Sequence, residues 1–207
     1  MKKRFVMVAL AVLTAVSLSA CGDNQGATST PENTGSAVSA SGEAVGLSEA
    51  IAEQPILLTS GGQSADYQMV GTVLKNLKME YTLNNLATSA DLGDNKTLVV
   101  AVGGSSKGLG AAGIDADGEI SRLTELLAAA KEADMTVIVM HTGGAARRGD
   151  LSDKFIEPVF AYANYAVVVE SGDADGKMAG ICSQNSIPLD KVAGIGDVAT
   201  VLPNAFR

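Results

Sequence analysis

The sequence predicts an α/β domain, a three-layer sandwich with helices on both faces of a mostly parallel, five-stranded sheet. Three observations predict it. Residues 97–102 (TLVVAV), 135–140 (MTVIVM) and 165–170 (YAVVVE) are apolar at successive rather than alternate positions, so both faces of these strands must be covered. Between them run stretches with apolar residues at helical spacing, and strands that alternate with helices build a parallel sheet. Finally, one pattern recurs at residues 56–65, 98–110, 135–150 and 167–176: an apolar strand that runs into a loop of small residues. The architecture expected is flavodoxin-like or Rossmann-like.

Taken in order, residues 55–59 (PILLT) form the first strand, ending in Ser60-Gly61-Gly62. Residues 66–78 place Met69, Val70, Val73, Leu74 and Leu77 on one helical face, with Ser64 standing where an N-cap belongs. Residues 80–86 alternate apolar and polar, which suits a strand near an edge, and a turn follows at 91–96. After the strand at 97–102, residues 103–118 read as a long glycine-rich loop. A helix over 119–133 then carries Ile120, Leu123, Leu127 and Ala130 on one face, with Asp117 as its cap. The strand at 135–140 leads to a helix over 152–162, in which Pro158 predicts a kink or a later start. The fifth strand is 165–170. Beyond it come a short helix near 178–184, a short extended piece at 187–192 and a terminal helix near 197–202.

The N-terminus reads as an address. Lys2, Lys3 and Arg4 precede an apolar run over residues 5–18, the layout of a secretory signal peptide. It ends in Leu18-Ser19-Ala20-Cys21, which resembles the lipobox of bacterial lipoproteins; the resemblance implies removal of residues 1–20 and acylation of Cys21 with chains such as palmitate. The chain is then expected to be anchored to a membrane on the extracytoplasmic face, without spanning it. Residues 21–47, rich in Gly, Ser, Thr and Asn without hydrophobic period, read as a flexible tether, and residues 48–207 as one globular unit.

Removing Lys2, Lys3 and Arg4 takes the formal net charge from −8 to −11, which argues against nucleic acid as a partner. Any basic patch must be local, and Arg147-Arg148 is the obvious one. The cysteines are Cys21 and Cys182; with Cys21 lipidated, Cys182 has no disulfide partner and reads as a small buried residue.

Ligands of open parallel sheets bind beyond the carboxyl ends of the strands. The loop residues expected there are Ser60, Gly61, Gly62, Gln63, Ser64 and Asp66 after the first strand, and Gly104, Ser105, Ser106 and Lys107 after the third. The fourth strand contributes His141, Thr142, Gly143, Gly144, Arg147 and Arg148. Glycine lets backbone N–H groups approach a ligand, and Lys107 and the arginines supply positive charge for an anion. The bland reading of the glycines is tight turns, and of the arginine pair a solvated surface; four such loops together favour a pocket.

Established signatures are missing. Gly103 to Gly110 lacks the spacing of a phosphate-binding P-loop, and Gly104-x-x-x-Gly108-x-Gly110 resembles the loop of short-chain dehydrogenases but follows the wrong strand. A Ser–His–Asp device could draw on Ser64 or Ser105, His141, the chain's one histidine, and Asp66 or Asp173, although no G-x-S-x-G elbow supports it. Asp173 to Gly176 begins like a calcium loop without the closing glutamate.

Residues 57–66 (LLTSGGQSAD), Gly143-Gly144, Arg147-Arg148-Gly149, Ser152-Asp153 and Asp175-Gly176 together resemble an uncharacterised family of bacterial surface lipoproteins. The resemblance implies that these motifs form a unit and implies no activity. The function expected is a membrane-anchored module that binds a small anionic or polar ligand, with no cofactor or metal. The alternatives are an exported hydrolase using Ser64 or Ser105 with His141, and an adaptor for a protein, a membrane protein among the possible partners.

Overall fold

The computed structural model describes residues 46–207. The expected signal peptide, the expected lipidation site Cys21 and the expected tether as far as residue 45 lie outside the described residues. Among the described residues no helix is long and apolar enough to cross a membrane.

One parallel sheet organises the fold. Its strands are β1 (Ile56–Gly61), β2 (Tyr81–Leu83), β3 (Thr97–Val102), β4 (Thr136–His141), β5 (Tyr165–Val169) and β6 (Leu189–Val192). They lie in the order β2-β1-β3-β4-β5-β6. The first five follow the flavodoxin-like order, with the reversal of direction between β1 and β3. β1, β3, β4 and β5 are buried along nearly their whole length, as their continuous apolar runs require. Ser60 lies opposite Ala101, and Ala101 opposite Met140, so β1, β3 and β4 end at one level.

The helices are α1 (Asp66–Asn76), α2 (Ser106–Ala112), α3 (Ala116–Glu132), α4 (Asp150–Phe160), α5 (Lys177–Gln184) and α6 (Val198–Val201). One core packs Leu123, Leu126 and Leu127 of α3, Phe155, Ile156 and Phe160 of α4, and Met178 and Cys182 of α5 against Leu57, Leu98, Val137 and Val168 of the sheet. On the opposite face Val70 and Leu74 of α1 and Val198 of α6 cover Ile56, Leu58, Val99, Ile138 and Tyr165. The result is the three-layer sandwich expected.

Several details differ from the expectations. The sheet has a sixth strand, β6, where only a short extended piece was expected. Asp190 and Lys191 interrupt its apolar pattern, which an edge strand tolerates because solvent reaches it. The loop at 103–118 contains α2, whose first turn is capped by the Ser105 hydroxyl accepting from the Gly108 N–H at 3.1 Å. Its glycines conceal the helix, while Leu109 anchors it in the core. The cap of α3 is Asp115, not Asp117; its carboxylate accepts from the Gly118 N–H at 2.8 Å. Ala65, not Ser64, holds the N-cap position of α1, while the Ser64 hydroxyl still accepts from the Asp66 N–H at 3.4 Å. Finally, α4 starts two residues earlier than Ser152, and Pro158 falls two residues before its end.

Candidate functional site

The carboxyl ends of β1, β3, β4 and β5 send out four loops, and these pack on one another. Gly62 has φ +110°, and a Cβ on it would stand 2.6 Å from the Gly103 carbonyl oxygen and from the Phe155 ring. A Cβ on Gly104 would press on the backbone of Ser152 at 2.8 Å, and one on Gly108 would overlap the Gln63 carbonyl. The Gly144 Cβ position is 2.6 Å from the Ser171 hydroxyl, and that of Gly172 is 2.7 Å from Nδ1 of His141. At Gly62, Gly104 and Gly108 one backbone therefore meets another, and at Gly144 and Gly172 a backbone meets a side chain of the neighbouring loop. The turn-and-packing reading accounts for them.

Four of the loop amides are correspondingly occupied. Ser64 N–H donates to the Gly103 carbonyl at 3.1 Å and Ser105 N–H to the Gly62 carbonyl at 2.8 Å. Gly104 N–H donates to the Ser152 hydroxyl at 3.0 Å. Gly62 N–H donates to Oε1 of Glu119 at 2.9 Å.

Glu119 is the residue that the sequence reading missed. Its side chain is fully buried in the first turn of α3 and gathers the β1 loop. Besides Gly62, Oε1 accepts from Nε2 of Gln63 at 3.1 Å and from a terminal nitrogen of Arg122 at 2.8 Å, while Oε2 accepts from Nε of Arg122 at 2.8 Å. The same Arg122 donates to the carbonyls of Ala87 and Ser60. Gln63, held at φ +60°, exchanges two further hydrogen bonds with Asn85. The available signal was positional: Glu119 lies one turn before Leu123, on the apolar stripe of α3.

Where the ends of β3 and β4 lie side by side sits the Asp66 carboxylate, the first residue of α1 and almost wholly buried. Oδ2 accepts from the Ser64 hydroxyl at 2.9 Å, and Oδ1 from Nε of Arg147 at 3.3 Å. Cβ atoms on Gly103 and Gly143 would stand 2.7 and 2.8 Å from Oδ2, so both positions must be glycine to admit the carboxylate. The Arg147 side chain is 38% exposed, and Nε is the only one of its guanidinium nitrogens bonded among the described residues.

Arg148 is its opposite. Nε and one terminal nitrogen grip Asp153 at 2.8 and 3.1 Å, both terminal nitrogens grip Asp175 at 2.9 and 2.8 Å, and one donates to the Gly172 carbonyl at 2.6 Å. All the N–H groups of a guanidinium are thereby used. These bonds hold the Asp153 and Asp175 carboxyls below the ordinary carboxylate range and raise the guanidinium's own pKa further. Arg148 is a clamp between the β4 loop, α4 and the β5 loop.

His141 closes β4 and is fully buried. Its Nε2 lies 3.1 Å from the Arg147 carbonyl oxygen, which can only accept, so Nε2 carries the proton. Nδ1 is then a bare acceptor, buried and without a partner. Burial pushes the imidazole pKa down, and Arg148 adds to the effect. The ring fixes the backbone that carries Arg147. The hydroxyls of Thr59, Ser60 and Thr142 are likewise buried without partners.

Among the described residues no hydrogen bond joins either candidate nucleophile to His141. The Ser64 hydroxyl is spent on Asp66 and that of Ser105 accepts from Gly108. Asp173 accepts from the amides of Met178 and Ala179 at the start of α5 and pairs with Lys191 at 2.8 Å. Asp173 and Asp175 are thus both engaged, and no group of three or more metal-ligating side chains occurs among the described residues. Ser106 and Lys107 are exposed on the first turn of α2. A cavity of about 330 Å³ lined by Lys131, Thr136, Tyr162 and Asn164 opens at the other end of the sheet.

A family model described as a domain of unknown function (DUF6305) matches residues 53–206. None of the curated proteins matches the chain. Among solved structures, a psychrotrophic esterase, EstA, from Pseudoalteromonas sp., crystallised with monoethylphosphonate as inhibitor, is 11% identical, over 67% of this chain and 78% of that one, with a TM-score of 0.30. A superposition that loose bears on no residue of the site.

Proposed function

Because the chain belongs to the DUF6305 family, a family of unknown function, its own residues must supply the functional reading, and we propose an extracytoplasmic lipoprotein that binds a small anionic or polar ligand. Cys21 is acylated and anchors the chain, and the domain presents its site beyond the carboxyl ends of β1, β3 and β4.

One observation carries the binding reading. Of two adjacent arginines at the ends of these strands, Arg148 is saturated by protein partners, while Arg147 keeps most of its donors for something else. In a domain of strong negative charge, an arginine with open donors beyond the carboxyl ends of the strands suits a carboxylate or phosphate group. Lys107 and Ser106, on the first turn of α2 after β3, add charge and a hydroxyl. The glycines contribute by letting the loops close around this point. The hydrolase reading lacks a serine bonded to the histidine, and binding without turnover is favoured.

Two measurements test the proposal. Labelled palmitate should be incorporated by the wild-type chain and not by Cys21→Ala; incorporation by the variant would sink the anchor. Inorganic phosphate, sulfate and acetate should raise the melting temperature of the wild type and not of Arg147→Gln. Ligand at about a hundred times its Kd stabilises by about 2.7 kcal/mol, well within reach of a thermal scan. Equal shifts in both proteins would move the site elsewhere.

A further inference from the structure

The nook at the ends of β3 and β4 already holds an anion, the chain's own Asp66 carboxylate. It is floored by two glycines that leave room for it, hydrogen-bonded by Ser64 at 2.9 Å and paired with Arg147 at 3.3 Å. We propose that Asp66 sets the affinity of the Arg147 site by competing with the ligand's anionic group for the guanidinium. The inference rests on the anion-binding reading of Arg147 and adds the residue that regulates it.

The asymmetry of the two partners is what makes competition the role. Asp66 is inside, with its second oxygen fixed by the Ser64 hydroxyl and its backbone at the start of α1, so it stays in place when Arg147 turns away. Arg147 is outside, 38% exposed, and reaches Asp66 through one N–H at the long end of hydrogen-bond distance. A guanidinium held by a single long bond can rotate to offer its two-nitrogen edge to an incoming carboxylate or phosphate, which a bidentate pair would hold more strongly. Binding then separates Arg147 from Asp66, and the carboxylate left behind keeps only Ser64. Ser64 belongs to the same balance. By sharing the charge of Asp66 it weakens the hold on Arg147, so the serine favours ligand and the aspartate opposes it.

Opposite signs give the test. Inorganic phosphate is titrated into the full-length wild type, Asp66→Asn and Ser64→Ala, with binding followed by calorimetry and by the NMR signal of the Arg147 Nε–H group. The near-isosteric Asp66→Asn is expected to bind phosphate about twofold to fivefold more tightly, the range set by releasing a partly exposed ion pair. Ser64→Ala, in which Asp66 leans on Arg147 alone, is expected to bind about twofold more weakly. If the wild type binds phosphate through Arg147 and Asp66→Asn binds it equally or less well, the competition is wrong while the binding site stands. If phosphate leaves the Arg147 signal unmoved in wild type and in Asp66→Asn, the anion site itself fails and takes the competition with it. Should Asp66→Asn not fold, Ser64→Ala decides alone: weaker binding supports the competition, and unchanged or tighter binding overturns it.

Discussion

Glu119 accepts a hydrogen bond from the amide of Gly62, 57 residues earlier in the chain, at 2.9 Å. This bond ties the first turn of α3 to the loop after β1, and the same carboxylate collects Gln63 and Arg122. The pair is buried, with the Glu119 side chain fully covered and that of Arg122 nearly so. Removing one member leaves the other as an uncompensated buried charge. Glu119→Ala should therefore cost about 3–5 kcal/mol. Glu119→Gln, which keeps an acceptor for Gly62 and discards the charge, should still be less stable than wild type. Urea denaturation measures both, and an alanine variant as stable as wild type would show that the bond is dispensable.

The arginine pair separates stability from binding. Arg148→Ala removes five donors and leaves the Gly172 carbonyl and two carboxylates without their partner. Asp175 is well exposed, which screens its share, so the expected loss is about 1–3 kcal/mol. Arg147→Ala breaks one long bond at a partly exposed site and should cost less than about 1 kcal/mol. Its effect should fall on the response to phosphate instead. Thermal melts of both variants, with and without phosphate, read the two effects separately.

Glycines two residues apart in α2 should respond with opposite sign. Gly108→Ala drives a methyl group into the backbone carbonyl of Gln63, which cannot move without the β1 loop, and overpacking of this kind costs about 1–3 kcal/mol. Gly110 faces open space in the same helix. Gly110→Ala should stabilise by up to about 1 kcal/mol through helix propensity. Denaturation midpoints of the two variants on either side of the wild type would establish that packing holds Gly108. If Gly108→Ala were neutral, the loops would be looser than described.

Periodicity made the frame legible and left the loops obscure, for physical reasons. A continuous apolar run as short and valine-rich as residues 97–102, followed by glycines, reads as a strand buried on both faces, and β3 occupies those residues. Strand order is set by packing between distant elements, and no local pattern encodes it. β6 escaped because its edge position permits Asp190 and Lys191 to break the pattern, and α2 because Gly110 lowers its helix propensity and Gly108 serves a contact with Gln63 that lies far off in sequence. At the candidate site the convergence of Ser64, Asp66, His141 and Arg147 follows from the strand–loop grammar. Nothing in the dipeptide Arg147-Arg148 reveals that one side chain is a clamp and the other is open. That difference arises from Asp153, Asp175 and the Gly172 carbonyl, three points brought together only by the fold. Glu119 was hidden for the complementary reason: a charged residue at the head of a helix reads as solvated unless its partners are seen.

Acid should weaken the fold in two stages, the first through His141. Burial lowers its pKa in the native state from the ordinary 6.5, with the Arg148 charge adding to the shift. As pH falls below 6.5 the unfolded chain takes up a proton that the native ring refuses, so the native state loses relative stability until the lowered native pKa is reached. The groups facing the ring act on both sides: Arg148 opposes its protonation, while Asp66 and the Arg147 carbonyl favour it. The carboxylates come later. Arg148 holds Asp153 and Asp175 below the usual 3.8, so their contribution is complete above that value and disappears only as pH drops through their lowered native pKa values. The first stage therefore begins near pH 6.5 and the second only near 3.8. Melting temperatures measured between pH 7.5 and 5 should fall for the wild type and change less for His141→Asn, whose amide can still donate toward the Arg147 carbonyl but does not titrate. A fall of equal size in both proteins would assign the upper window to some other group and leave His141 a purely structural pin.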